Sequence, residues 1–169
     1  IAALEDGWVR LTSDEHLFVY GGHTYGNYGG FSFAKNTLYK MSFDLKLGEV
    51  SANKTFNLYV MTENGDPRFG NIVKTLKLDF ADNERMVLIN SDDFASVTYD
   101  HETGIAHIEA VFTTDASVNT EVVSKCAGTN NWLIDNLVFA KTFKNVDYSN
   151  GVSHDNYTAI STLFENDYS

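Results

Sequence analysis

One cysteine and one proline stand in 169 residues. With Cys126 alone, neither an intramolecular disulfide nor a CxxC metal or redox pair can form. A lone cysteine in a strand-like stretch is ordinarily a small buried hydrophobe, and no adjacent base lowers its pKa for nucleophilic work. A single proline excludes a proline-rich linker. No run approaches the roughly 18 apolar residues that a membrane-spanning helix needs, and no secretory leader is legible. The chain begins at Ile1 without an initiator methionine, so we expect a mature protein or, better, a module of a larger multidomain one. Cations are scarce: 12 Lys and Arg stand against 23 Asp and Glu, for a formal charge of −11. Nucleic acids and anionic membranes both require a cationic surface, so neither is an expected partner.

Chemistry motifs are missing too. The sequence holds no GxSxG elbow, HExxH helix, P-loop, GxGxxG in a βαβ context or EF-hand loop. The five histidines are scattered, and for His107, on the outward face of a strand pattern, a metal pair would need a second ligand close in space, which the sequence does not identify. Paired carboxylates for glycoside hydrolysis carry little meaning among so many acids, and Asp92-Asp93 reads as a solvated turn. The expectation is a protein without catalytic activity.

What is present is patterned apolar residue. Hydrophobic residues make up 43% and aromatics 14% of the chain, with 12 Phe, 9 Tyr and 2 Trp. That suffices for one folded domain, which at this size buries roughly 70% of its unfolded surface. Apolar residues alternate with period two. Tyr39, Met41, Phe43, Leu45 and Leu47 share one face, with Lys40, Ser42, Asp44 and Lys46 on the other. Phe56, Leu58 and Val60 repeat the pattern, as do Leu76, Leu78 and Phe80. Ile108, Ala110 and Phe112 alternate with His107, Glu109 and Val111. Leu133, Asp135, Leu137 and Phe139 alternate with Trp132, Ile134, Asn136 and Val138. Turn residues separate these runs, among them Asn64-Gly65-Asp66-Pro67 and Glu102-Thr103-Gly104. About nine to eleven strands and no βα alternation predict an all-β fold, a two-sheet antiparallel sandwich of the jelly-roll type. The sandwich is expected over 1–143. The remainder, 144–169, reads as a polar arm or linker, with helical spacing only across Asn156 to Phe164.

Three features rise above this background. The loop from His23 to Phe31 interleaves Tyr25, Asn27 and Tyr28 with glycines. Aromatic rings stack on the C–H face of a pyranose, and neighbouring amides fix its hydroxyls without charge. The other reading is a glycine-rich turn whose rings fold onto the core. Asn130-Asn131-Trp132 precedes the last strong strand and offers two amides and a stacking platform. Alternatively, Trp132 packs between sheets and the Asn pair makes the turn. Asp135 lies inside an apolar stretch, where a buried carboxylate needs a partner. A hard cation such as Ca²⁺ would serve, with Glu5 and Asp6 as candidate co-ligands. A hydrogen-bonded Asp at a strand end is the plainer alternative.

The Glu5 to Trp8 opening, the strand Leu38 to Lys46 and the final strand Trp132 to Phe139 together resemble the β-jelly-roll carbohydrate-binding modules of bacterial polysaccharide-degrading and glycan-binding surface proteins. The resemblance covers about residues 1 to 140. It implies a secreted or cell-surface setting, no catalysis, and glycan bound across a sheet face or among the loops at one end. It also implies one structural Ca²⁺, carried over to Glu5 or Asp6 and Asp135, and a loop site carried over to Asn131 and Trp132. Residues and resemblance together predict a module that binds a neutral polysaccharide through stacking by Tyr25, Tyr28 and Trp132 and hydrogen bonds from Asn27, Asn130 and Asn131. An adhesion or protein-interaction sandwich with its aromatics turned inward is the alternative.

Overall fold

The computed structural model describes residues 2–5, 7–11, 18–20, 32–48, 54–62, 71–81, 85–124 and 132–143, with only the backbone at 2–5 and 18–20. The expected arm at 144–169, with its helical spacing, lies outside the described residues.

Eleven strands follow one another with no helix among the described residues. They are β1 (Ala2–Glu5), β2 (Trp8–Leu11), β3 (Phe18–Tyr20), β4 (Leu38–Leu47), β5 (Thr55–Thr62), β6 (Asn71–Ala81), β7 (Arg85–Leu88), β8 (Ala95–Asp100), β9 (Ile105–Thr113), β10 (Thr120–Ser124) and β11 (Trp132–Lys141). One sheet runs β1-β2-β11-β4-β9-β8 and the other β3-β10-β5-β6-β7. The ladders are antiparallel. The chain changes sheet between β2 and β3, and again at β4, β5, β8, β10 and β11. This is the jelly-roll sandwich that the alternation predicts.

The alternation works because one side of each sheet must leave water. On β4, Met41, Phe43 and Leu45 are fully buried and Tyr39 nearly so, while Lys40 is exposed. Phe56, Leu58, Val60, Leu76 and Leu78 close the core from the facing sheet. Phe33 fills one end, meeting Tyr39, Phe112 and Phe139 edge-on with centroids 5.0, 5.7 and 5.0 Å away. Thr114 ties the segment before β4 to the end of β9. Its hydroxyl donates to the Ala34 carbonyl at 2.6 Å and accepts from the Thr37 N–H at 2.9 Å.

At the N-terminus, Glu5 pairs with Trp8 and leaves a two-residue connection, Asp6-Gly7. Gly7 has φ +84°, a region that two-residue hairpin turns demand and that Asp-Gly supplies. The Glu5 to Trp8 stretch is therefore a hairpin corner, and β2 carries it onto β11.

Alternation is interrupted between β5 and β6, where Val60 and Met61 are both buried and Val73 has no opposite residue, and again in β11. Asp135 pairs with Asp44 and Val138 with Ser42, so Asn136 and Leu137 together oppose Phe43. This is a β-bulge, and Asn136 occupies it at φ +54°. The bulge resets the phase of β11. Trp132 and Ile134 before it, and Leu137 and Phe139 after it, all pack on the core. Leu133 and Asp135 take the opposite face, so Asp135 shares a face with Leu133, as expected, but not with Leu137. The left-handed backbone decides how this position tolerates change. A β-branched residue is disfavoured there by about 1–2 kcal/mol, whereas glycine is free of that penalty. In urea unfolding, Asn136→Val should lose about 2 kcal/mol or more, with the strain adding to a lost side-chain hydrogen bond, and Asn136→Gly about 1 kcal/mol. Equal losses for the two variants would mean that the bulge does not constrain this residue.

Candidate functional site

The outer face of the six-stranded sheet carries an ordered set of polar side chains. Strand parity puts them there. Val9 packs on the core, so its neighbours Trp8 and Arg10 face outward. The outward residues of β4 are Lys40, Ser42, Asp44 and Lys46, and those of β9 are His107, Glu109 and Val111. The ladders then align them in rows. Arg10, Leu133 and Lys46 form one row. Asp135, Asp44, His107 and Thr98 form the next. Trp8 lies on the same face, one residue past the Val9–Ile134 pair at which the β2–β11 register ends. Val138, Ser42, Glu109 and Ser96 form the third row.

Hydrogen bonds lock the centre. Asp44 Oδ1 lies 2.8 Å from His107 Nδ1, and Asn136 Nδ2 donates to Asp44 Oδ2 at 2.8 Å. His107 Nε2 reaches Glu109 Oε1 at 3.3 Å, and Lys40 Nζ lies 3.5 Å from the same oxygen. Asp135 Oδ1 accepts from the Asn136 backbone N–H at 2.8 Å. The bulge thus gives one residue two tasks, since Asn136 holds one carboxylate with its backbone and another with its side chain. Beside this network, Lys46 Nζ sits 4.5 Å above the ring of half-buried Trp8, a cation–π contact typically worth about 0.5–1 kcal/mol at an exposed site.

The electrostatics follow from these contacts. Partial burial alone would raise the Asp44 carboxyl, but hydrogen bonds to Asn136 and His107, with the His107 charge, hold it below its ordinary value of 3.8. The hydrogen bond to Asp44 raises His107 above 6.5, against desolvation and with help from Glu109. The His107 hydrogen bond, with Lys40, lowers Glu109 below 4.5 against desolvation. Arg10, Lys40 and Lys46 face Asp44, Glu109 and Asp135, so this patch is close to charge-balanced on a chain of net charge −11.

The residues singled out from sequence are placed unevenly. Tyr25, Asn27, Tyr28, Asn130 and Asn131 lie outside the described residues, as does Asp6. Trp132 requires correction. Its ring is fully buried, with its centroid 5.7 Å from that of Phe56, so no face is free to stack on a sugar. Among the described residues, its indole N–H finds no hydrogen-bond partner. The plainer reading, Trp132 packed between the sheets, is the one that holds. Asp135 is half-buried on the outer face and not enclosed among apolar side chains. Glu5 pairs with Trp8, which puts β2 between it and Asp135, and its side chain is not described. Among the described residues, no three His, Cys, Asp or Glu side chains converge as metal ligands.

Sequence reasoning passed over Trp8, Asp44, His107 and Asn136 as a group. The alternation of Trp8-Val9-Arg10-Leu11 was the available signal for Trp8, because a core Leu11 sends Arg10 and Trp8 outward in opposite phase to Val9. Nothing local could report that β4 lies between β9 and β11. The face carries a half-exposed indole, an amide, an imidazole and carboxylates.

No family model matches the chain, and no curated protein matches it. Among solved structures, the chain is similar to the CBM22-1 and GH10 modules of a Clostridium thermocellum endo-1,4-β-D-xylanase 10B complexed with xylohexaose, at 17% identity and a TM-score of 0.38. The match covers 85% of this chain and 27% of that one, so the chain spans about a quarter of that structure's length. A likeness at this level assigns neither ligand nor site.

The network has a defined pH window. His107 holds its proton more tightly in the folded chain, so its contribution is complete below about 6.5 and fades as pH rises through the raised folded value. Asp44 and Glu109 are held low, so theirs is complete above 3.8 and 4.5 and fades as pH falls through the lowered folded values. Exposed pairs of this kind contribute about 0.2–1 kcal/mol each. Thermal melts of the wild type and His107→Gln should differ most between pH 4.5 and 6.5 and converge as pH rises through the raised His107 value. A difference that grows toward alkaline pH would contradict the assigned ion pairs.

Proposed function

We propose that this chain is a non-catalytic carbohydrate-binding module and that a neutral polysaccharide lies across the outer face of its six-stranded sheet. The observation that carries the proposal is the aligned row of Asp135, Asp44 and His107, with Asn136 and Glu109 hydrogen-bonded to it and Trp8 on the same sheet face under Lys46. In this reading Trp8 stacks on a sugar ring after Lys46 swings aside. Asn136, His107 and the carboxylates exchange water for sugar hydroxyls without shedding a net charge. Their internal hydrogen bonds fix the orientations before the ligand arrives, which lowers the ordering cost of binding. The high overall acidity disfavours a polyanion. Each sugar hydroxyl trades one hydrogen bond for another, so affinity per module should be modest, roughly micromolar to millimolar.

Two parts of the reading extend beyond the sheet face. Tyr25, Asn27, Tyr28, Asn130 and Asn131 form its loop arm, on the strength of their residue types. A structural Ca²⁺ shared by Asp135 and the acids Glu5 and Asp6 forms its metal arm. Its support is the resemblance carried by the Glu5 to Trp8 opening and the final strand Trp132 to Phe139. A secreted or cell-surface multidomain protein is the setting this function fits.

Affinity electrophoresis tests the proposal against starch, xylan, mannan, β-glucan, pectin and alginate, each with and without EDTA. We expect retardation by a neutral polysaccharide, and Trp8→Ala should weaken it roughly tenfold, the scale of one aromatic contact. If Tyr25→Ala abolishes retardation and Trp8→Ala leaves it intact, the site belongs to the loops. An unchanged melting temperature in EDTA removes the Ca²⁺. Retardation by none of the polysaccharides leaves the protein-interaction sandwich as the better account.

A further inference from the structure

We propose that the chain self-associates through the open edge of β8, pairing antiparallel with β8 of a second copy. β8 is an edge strand of the six-stranded sheet. The Val111 N–H donates to the Phe94 carbonyl at 2.9 Å, and this fixes the phase of the β8–β9 ladder. In an antiparallel pair, alternate residues exchange hydrogen bonds. Ser96, Thr98 and Asp100 therefore bond to Glu109, His107 and Ile105. Ala95, Val97 and Tyr99 turn their N–H and C=O groups to the open edge, and no hydrogen bond among the described residues reaches those groups.

Exposed edges ordinarily carry a protective device: a very short strand, a lysine, a proline or a bulge. The other three edge strands, β1, β3 and β7, are four, three and four residues long. β8 is six residues long, has unbroken register with β9, and reads Ala-Ser-Val-Thr-Tyr-Asp, with no lysine and no proline.

The occupant is a second copy because the strand is self-complementary in charge. With the symmetry axis at Val97, that residue meets its own copy and Ala95 meets Tyr99, so all the open backbone groups find partners. Ser96 then lies opposite Thr98, a favourable hydroxyl pair on the outer face. The one charged residue, Asp100, falls opposite the half-buried Phe94, not a second carboxylate. On a chain with 23 acidic residues, this strand can pair with itself without opposing like charges. The pairing makes one sheet continuous through both copies and sets their outer faces side by side. It stands independently of the glycan reading, although a bound polymer would gain avidity from it.

Sedimentation velocity on the full chain from about 10 μM to 1 mM should show a monomer–dimer equilibrium. Over the same range, backbone amide exchange at Val97 and Tyr99 should slow by about tenfold or more, while Ser96 and Thr98 stay protected throughout. Val97→Pro removes an edge N–H without touching the β9 ladder, and should leave a folded monomer. A wild type that stays monomeric over this range overturns the proposal. So does a dimer whose Val97 and Tyr99 amides exchange as fast as in the monomer, or a Val97→Pro variant that still dimerises.

Discussion

Burial of the inner side of β4 is the constraint on which the rest depends. Met41, Phe43 and Leu45 lose all contact with water, and each such side chain contributes about 1.5–3 kcal/mol relative to exposure. A one-residue slip would put these side chains into solvent and Asp44 into the core, so the register admits no alternative. Once β4 is fixed, its neighbours β9 and β11 are fixed through their ladders. The outer row of Lys40, Ser42, Asp44 and Lys46 is then the obligatory reverse of the core row. The candidate site is in this sense a by-product of burial, refined by the residues chosen for the solvent side.

The bulge at Asn136 is where that refinement is sharpest. The extra residue turns Leu137 and Phe139 back to the core after Asp135 has faced outward. A strand with this composition and no bulge would either bury a carboxylate or expose a phenylalanine. Asparagine suits the position twice over, because it tolerates a left-handed backbone better than most residues and its amide reaches Asp44. Backbone irregularity and polar network are one feature, and the Asn136 hydrogen bond helps to hold the Asp44 carboxyl below its ordinary value.

The face so formed differs in character from the chain as a whole. The sequence is strongly acidic, yet the patch around Asp44 pairs its carboxylates with lysine, arginine, imidazole and amide. Hydrogen-bonded, nearly neutral arrays of this kind favour ligands recognised by shape and hydroxyl pattern over ligands recognised by charge. The same economy of charge holds at β8, the outermost strand of that sheet, whose solvent side carries Ser96, Thr98 and one charge, Asp100.

The sequence by itself determined the fold class and much of the inside-outside assignment, because period two is a local property and burial is read off each strand alone. Lys40, Asp44, His107 and Glu109 were correctly assigned to outward faces on that basis. Tertiary structure decided what local pattern cannot encode. It set β4 between β9 and β11, which brings Asp44 to His107 across 63 positions of chain. It buried Trp132 and left Trp8 at the surface, since a tryptophan's fate depends on what covers it and not on the residues beside it. It also moved Asp135 out of the core, because a bulge is a property of two paired strands and is invisible in either one alone.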